Sequence, residues 1–264
     1  IAFITYLSTI EPNFSFWDCG EYISSAVKLE VTHAPGAALF QLVGAVAALF
    51  AFGNGENYSV VINSMSALFS ALTILFLFWT ITHLVRRLLN KDFAEITVHQ
   101  EISILFAGVV GALCFTFSDT FWFSAVEGEV YSMTSMFMAL LVWLITKWEN
   151  EYHDADNERW IILIFFITGL SVGVHMMCML AIPAICLMYY ARNYEFSWKS
   201  FLWANVFTLV ILGVVFKGIF PLIMTLFGKM EIFAVNGIGL PFHYGTIIAF
   251  AILVSLCYFG IKYA

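Results

Sequence analysis

The feature that most constrains this chain is a succession of long apolar runs: Tyr58 to Val85, Ile102 to about Phe123, Tyr131 to Trp148, Trp160 to Tyr190, Ser200 to about Phe227 and Tyr244 to Tyr263. A helix rises 1.5 Å per residue, so roughly 20 apolar residues cross the hydrocarbon of a bilayer. Inside that layer no water satisfies the backbone, and a run this long is stable as a helix that bonds its own N–H and C=O groups. The expected fold is therefore all-α, a polytopic transmembrane helical bundle. Of 264 residues 62% are apolar and 11% charged, against about a quarter charged in a soluble domain. Many of the 8 Trp and 11 Tyr flank the runs, where amphipathic rings favour the headgroup level. Nucleic acid is not an expected partner of a chain with net charge −7. Its five cysteines show neither disulfide nor zinc spacing.

Ile1 to Ser8 is apolar but too short to cross, and no Met or basic flank precedes it. It reads as the outer end of a first span that starts upstream, and the apolar end at Ala264 reads as continuing into a longer parent protein. The expected organisation is one transmembrane domain over residues 1–264.

Lys and Arg near span ends mark the cytoplasmic side. Arg86, Arg87, Lys91, Lys147, Arg159, Arg192, Lys199 and Lys262 flank apolar runs, which leaves Lys28, Lys217 and Lys229 elsewhere. For those eight to share a side, Pro35 to Phe52 must lie in the interface rather than cross. The run from Trp160 must cross twice, as two arms broken near Gly173-Val174-His175, each reaching about 22 Å. One long tilted helix is the rival. The two-arm topology puts residues 9–57, the turn 119–130, the tip at His175 and the loop 228–243 on the exoplasmic side, with nine carboxylates among them. The chain is expected in the cytoplasmic (inner) membrane with its acidic loops facing the periplasm.

Carboxylates close to hydrocarbon are functional candidates by default. Asp18 and Glu21 share a face if Phe16 to Val27 begins a helix, although a solvated loop with Asp18 as N-cap fits the same spacing. In His33-Ala34-Pro35-Gly36, the proline favours a helix start, and His33 at that helix's N-terminus would stand where anions bind. Glu127 and Glu129 lie two residues apart, on opposite faces of a helix but one side of a strand. A helix starting there would put one acid in any cavity and set Glu127 on a face with Tyr131, unless both acids merely serve the helix dipole. His175, at the break, and Lys217, inside an apolar run, are weaker candidates: a structural histidine and a lysine snorkelling to the interface explain them as well.

Phe16-Trp17-Asp18-Cys19-Gly20-Glu21, His33-Ala34-Pro35-Gly36-Ala37, Val126-Glu127-Gly128-Glu129-Val130-Tyr131 and Gly169-Leu170-Ser171-Val172-Gly173-Val174-His175 occur in this order. In that order they resemble the bacterial family known as domain of unknown function 2723, related to an animal transmembrane protein O-mannosyltransferase and, through its exoplasmic first loop and interfacial helix, to GT-C glycosyltransferases. The resemblance runs from about Thr9 to Pro183. It departs at Ala34, where the family commonly has proline. It implies a C-terminal region beyond the membrane part and an inverting transfer of a sugar, mannose by inheritance, from a polyprenyl-phosphate carrier to Ser or Thr of an exported protein. Asp18 and Glu21 become the catalytic pair, with Asp18 the base that takes the hydroxyl proton. Glu127 or Glu129, with Tyr131, would orient acceptor or sugar, and Lys28, His33, His175 or Lys217 would stabilise the leaving phosphate. A monophosphate donor requires no metal cofactor; with a diphosphate donor the carboxylates suit Mg²⁺ or Mn²⁺. Membrane lipid is the other expected partner, along with a membrane complex. The competing classes are a transporter or channel component that uses the acids for protons or cations, and a non-catalytic scaffold of an envelope or secretion complex.

Overall fold

The computed structural model describes residues 1–34, 36–89, 95–154 and 156–263, the side chains of 220, 224 and 261 excepted. Lys91 and Pro35, used above for sidedness and for the turn after His33, lie outside these. The structure is 81% helical with no strand among the described residues, and five helical segments among them are long and apolar enough to cross a membrane. The all-α polytopic fold is thus observed. The residues form two compact units, Ile1–Phe196 and Ser197–Ala264.

In the first unit, α1 (Ala2–Ser8) leads through a loop to α2 (Cys19–Lys28) and α3 (Ala38–Ala48), which a 3-10 turn extends through Leu49–Ala51. α2 begins three residues later than the expected Phe16, because Trp17 adopts a left-handed backbone, φ 64°. α3 and its extension cover 14 residues, about 21 Å, short of the ~30 Å hydrocarbon. That length suits a helix that does not cross. α2 and α3 pack closely: a Cβ on Gly44 would stand 2.8 Å from Ala26 Cβ. Where lipid and side chain are equally apolar, such close approach is what holds helices together.

The spans are α4 (Tyr58–Leu88), α5 (Val98–Thr116) and α7 (Val130–Asn150). Thr97 and Gln100 cap the start of α5 reciprocally, as a capping box does. The run expected to continue to Phe123 breaks at Phe117-Ser118, and the expected turn 119–130 contains a short helix, α6 (Asp119–Ala125). After α7, α8 (Glu158–Val172) ends at Gly173-Val174-His175, a 3-10 turn covers Met176–Ala181, and α9 (Ile182–Asn193) follows. His175 lies 5.8 Å, ring to ring, from Tyr131 at the start of α7. Tyr189 stacks on Trp148 at its end, and Asn193 accepts a hydrogen bond from Tyr152 just beyond. The segment therefore runs up α7 and back down it as two arms, and the single long helix is excluded.

Each end of this unit has its own chemistry. Tyr6 donates to the Thr116 carbonyl at 2.9 Å, Asn63 Nδ2 donates to the Glu11 and Asn13 carbonyls, and Leu39 N–H donates to the Gly173 carbonyl at 2.7 Å. These bonds gather residues 9–57, 117–129 and 173–175 at one end, with eight carboxylates and a single lysine, Lys28. At the other end Arg87 pairs with the largely buried Glu149, Arg86 donates to Asn150, Arg159 pairs with Glu151 and Arg192 meets His153. Arg86, Arg87, Arg159 and Arg192 thus share one end of this unit, whereas Lys199 and Lys262 belong to the second unit.

The second unit holds α10 (Trp198–Gly213), α11 (Phe220–Ile232) and α12 (Tyr244–Tyr263). π-helical turns at Val214–Ile219 and Phe233–Gly237 carry the helix on from α10 through α11 to Gly237. The expected loop 228–243 is therefore shorter. Glu231, expected in that loop, lies in α11 and accepts from the backbone N–H groups of His243 and Thr246, and so caps α12.

Candidate functional site

The site grows from the acidic end of the first unit. Trp17, 87% exposed, turns the chain so that Asp18 takes the N-cap position of α2. Its side chain makes no capping bond, so the carboxylate stays available. Glu21 lies in the first turn, where the helix dipole favours an acid. The loop after α2 returns to this turn: His33 N–H donates to Glu21 Oε1 at 2.6 Å, and Nδ1 stands 2.9 Å from Oε2. His33 Nε2 faces Asp18 Oδ2 at 3.9 Å. The hydrogen bond and charge of His33 hold the Glu21 carboxyl below the usual range, and the Glu21 bond raises the His33 pKa above its ordinary value. Between those two values the pair is carboxylate and imidazolium.

His33 is therefore not at a helix N-terminus. α3 starts at Ala38, five residues on, and the charges beside the imidazole are two carboxylates rather than a nest of N–H groups. One ligand atom each from Asp18, Glu21 and His33 lies within 4.8 Å of the others, close enough to hold one divalent cation through two hard oxygens and an imidazole nitrogen.

Behind this exposed trio lies a buried one. Glu127 and Glu129 are 4% and 3% exposed. A three-residue turn, closed by Glu129 N–H to the Glu127 carbonyl at 2.9 Å, precedes α7. Both acids consequently face the first loop: Ser15 donates to Glu127, and Cys19 Sγ stands 3.1 Å from Ser15 Oγ and 3.7 Å from Glu129 Oε1. The expectation that only one acid faces inward, with Glu127 sharing a helical face with Tyr131, fails because α7 begins at Val130, after both. Burial, then the neighbouring Glu127 charge, raises Glu129 to about 7. Burial also raises Glu127, against the opposing bonds from Ser15 and Cys19, and drives the Cys19 thiol to about 12. Gly128 makes the turn feasible, since a Cβ there would meet Asn63 Oδ1 at 2.9 Å and Ile23 Cγ1 at 3.0 Å.

Of the other expected residues, Tyr131 and His175 adjoin each other at this end. His175 Nδ1 accepts from Met177 N–H, and burial lowers its pKa. Lys28 is exposed at the opposite end of α2, about 10 Å along the axis from Glu21, and is not brought to the carboxylates. Lys217 belongs to the second unit, exposed on a π-helical turn. Ser15 and Cys19 are the residues that sequence reasoning missed. No motif marks Ser15, and Cys19 enters the sequence reading only as one of five cysteines without disulfide or zinc spacing.

Residues 18–198 match the family described as protein O-mannosyl-transferase TMEM260 N-terminal domain. Protein O-mannosyl-transferase tmem260 of Dictyostelium discoideum is 24% identical over 222 residues, 80% of this chain and 25% of that protein. Protein O-mannosyl-transferase TMEM260 of Mus musculus is 30% identical over 156 residues, 59% of this chain and 19% of that protein. The chain thus spans a quarter or less of the curated relatives it matches. No solved structure matches it.

Proposed function

The chain belongs to the family of the protein O-mannosyl-transferase TMEM260 N-terminal domain, and from that premise we propose that its acidic end is the catalytic face of a GT-C type glycosyltransferase. In this reading the face is exoplasmic and moves mannose from a polyprenyl-phosphate carrier to a Ser or Thr hydroxyl of an exported protein. The observation that carries the reading is the division of labour among the carboxylates. Glu21 has both oxygens on His33, while the Asp18 carboxylate is half-exposed and accepts no hydrogen bond among the described residues, with His33 Nε2 3.9 Å away.

Asp18 is the base. It takes the hydroxyl proton as the acceptor oxygen bonds to the anomeric carbon and the bond from that carbon to the phosphate oxygen breaks, inverting the centre. The electron pair leaves on the lipid phosphate. Glu21 is then a positioning residue rather than a second base: it keeps His33 cationic and aimed, so that Nε2–H can meet the departing phosphate charge. Glu127 and Glu129, buried against Ser15 and Cys19, fix the loop that carries Asp18 instead of touching sugar. A second reading rests on the 4.8 Å grouping of Asp18, Glu21 and His33, in which a divalent cation there neutralises a diphosphate donor.

The test is transfer from polyprenyl-phosphate mannose to a Ser/Thr peptide by the full-length protein. Asp18→Asn should lower kcat at least 100-fold with KM little changed. Full activity in that variant refutes Asp18 as base. Activity that disappears with EDTA and returns with Mn²⁺ selects the cation reading.

A further inference from the structure

Tyr22 is packed into the acidic end, yet its hydroxyl is unused. The side chain is 5% exposed, and its ring is fixed on two sides: 5.4 Å from Phe40, edge to face, and 5.8 Å from the His33 ring, centroid to centroid. A buried tyrosine ordinarily spends its hydroxyl on a partner, as Tyr6 does on the Thr116 carbonyl at 2.9 Å. The Tyr22 hydroxyl has no partner among the described residues, and unlike the unpartnered oxygens of Thr32, Ser66 and Ser70 it is not sealed from solvent.

Its neighbours are the groups of the proposed site. Tyr22 lies one turn beyond Asp18, whose carbonyl accepts its N–H at 2.9 Å, so the two side chains share a face of α2. Burial, then the charges of Glu129, Asp18, Glu21 and Tyr131, oppose its ionisation. The phenol is thus a neutral donor ringed by acidic groups.

That setting selects what it can bind. Phosphate belongs with the imidazolium of His33, the one cation among these groups, because the carboxylates around the phenol repel an anion. The attacking oxygen of Ser or Thr is a poor partner as well: a bond donated to it would tie up the lone-pair density that must reach the anomeric carbon. A sugar hydroxyl suits both kinds of neighbour, since it accepts from the phenol while donating to a carboxylate.

We propose, on the reading that this end transfers a sugar, that Tyr22 is a substrate-binding residue whose O–H donates to a hydroxyl of the transferred sugar and so helps to set which hexose is used. A site built to bond a substrate hydroxyl discriminates against a sugar that lacks it, because its own polar group is then left unpaired.

The experiment pairs Tyr22→Phe with polyprenyl-phosphate donors carrying mannose or one of its monodeoxy forms, in transfer to a Ser/Thr peptide by the full-length protein. Phenylalanine keeps the ring contacts with Phe40 and His33. It should lower kcat/KM for the mannose donor about tenfold, the effect of leaving one partner of a buried hydrogen bond unpaired, with the peptide KM unchanged. One monodeoxy donor should be used about tenfold less well than mannose by wild type and as well as mannose by Tyr22→Phe, because the two changes remove the same bond. Tyr6→Phe is the control for a merely structural phenol: it should lower the melting temperature and leave the ranking of donors as in wild type. Wild-type activity in Tyr22→Phe, or an unchanged ranking of donors in that variant, would overturn the role of Tyr22 while leaving the transfer in place. No transfer by wild type from any of these donors would overturn the parent reading, and this proposal with it.

Discussion

Replacing Glu129 with glutamine should stabilise the protein at alkaline pH and leave it unchanged in acid. Glu129 is 3% exposed, and burial together with the Glu127 charge raises its pKa from 4.5 to about 7. A raised acid pKa means that the folded state keeps its proton longer than the unfolded chain. Stability therefore falls as pH climbs from about 4.5 to about 7 and is flat above. At 1.36 kcal/mol per pKa unit, ionised Glu129 costs about 3 kcal/mol at pH 8, reduced to roughly 2 kcal/mol because water reaches the adjoining loop at half-exposed Asp18. Glutamine cannot ionise and keeps nearly the same shape. Its advantage over wild type should grow from zero near pH 4.5 to roughly 2 kcal/mol at pH 8. Thermal unfolding of both proteins in nanodiscs across that range measures the difference. Glu127→Gln with Glu129→Gln should widen it, since Glu127 is shifted in the same direction. Parallel pH profiles for wild type and Glu129→Gln would refute the account, because they would mean that Glu129 is ionised at no cost.

Two further outcomes follow from the same end of the molecule. Glu21→Gln removes the charge that raises His33, so the limb of the pH–rate profile that reports imidazolium should move down toward 6.5; an unmoved limb would mean that His33 takes no part. Gly44→Ala places a methyl 2.8 Å from Ala26 Cβ and should cost about 1–3 kcal/mol as α2 and α3 separate, seen as a lowered melting temperature that Ala26→Gly restores in the double variant.

The spans were legible because apolar length is a property of each segment alone. The reversal at Gly173-Val174-His175 was legible too, since eight basic residues share a side only if the run from Trp160 turns back. Two boundaries were missed. The run read on to Phe123 is interrupted by Ser118-Asp119-Thr120, and a serine at the N-cap with an acid in the first turn marks the new helix start that the apolar count passed over. Gly228 to Gly237 has the polar and small residues of a loop, yet the helix continues there, because Glu231 bonds to the N–H groups of His243 and Thr246 and makes its charge part of the next helix start. At the second boundary the deciding partner lies in another element.

The same limit governs the site. Spacing shows Asp18 three residues from Glu21 but not His33, twelve residues on, brought back to bond both Glu21 oxygens. Nor does it show Ser15 and Cys19 meeting acids more than a hundred residues away. Four carboxylates that look interchangeable in the sequence are separated by their partners. Glu21 is committed to His33, Glu127 to Ser15, and Glu129 is buried beside Cys19. Each of those contacts stabilises one protonation state or one loop geometry, and each lowers the freedom of that acid to accept a substrate proton. Asp18 is singled out by elimination, since its carboxylate alone of the four combines exposure with the absence of a hydrogen-bond partner among the described residues. A base for a hydroxyl needs that combination, because a carboxylate already saturated by donors gains little from one more proton.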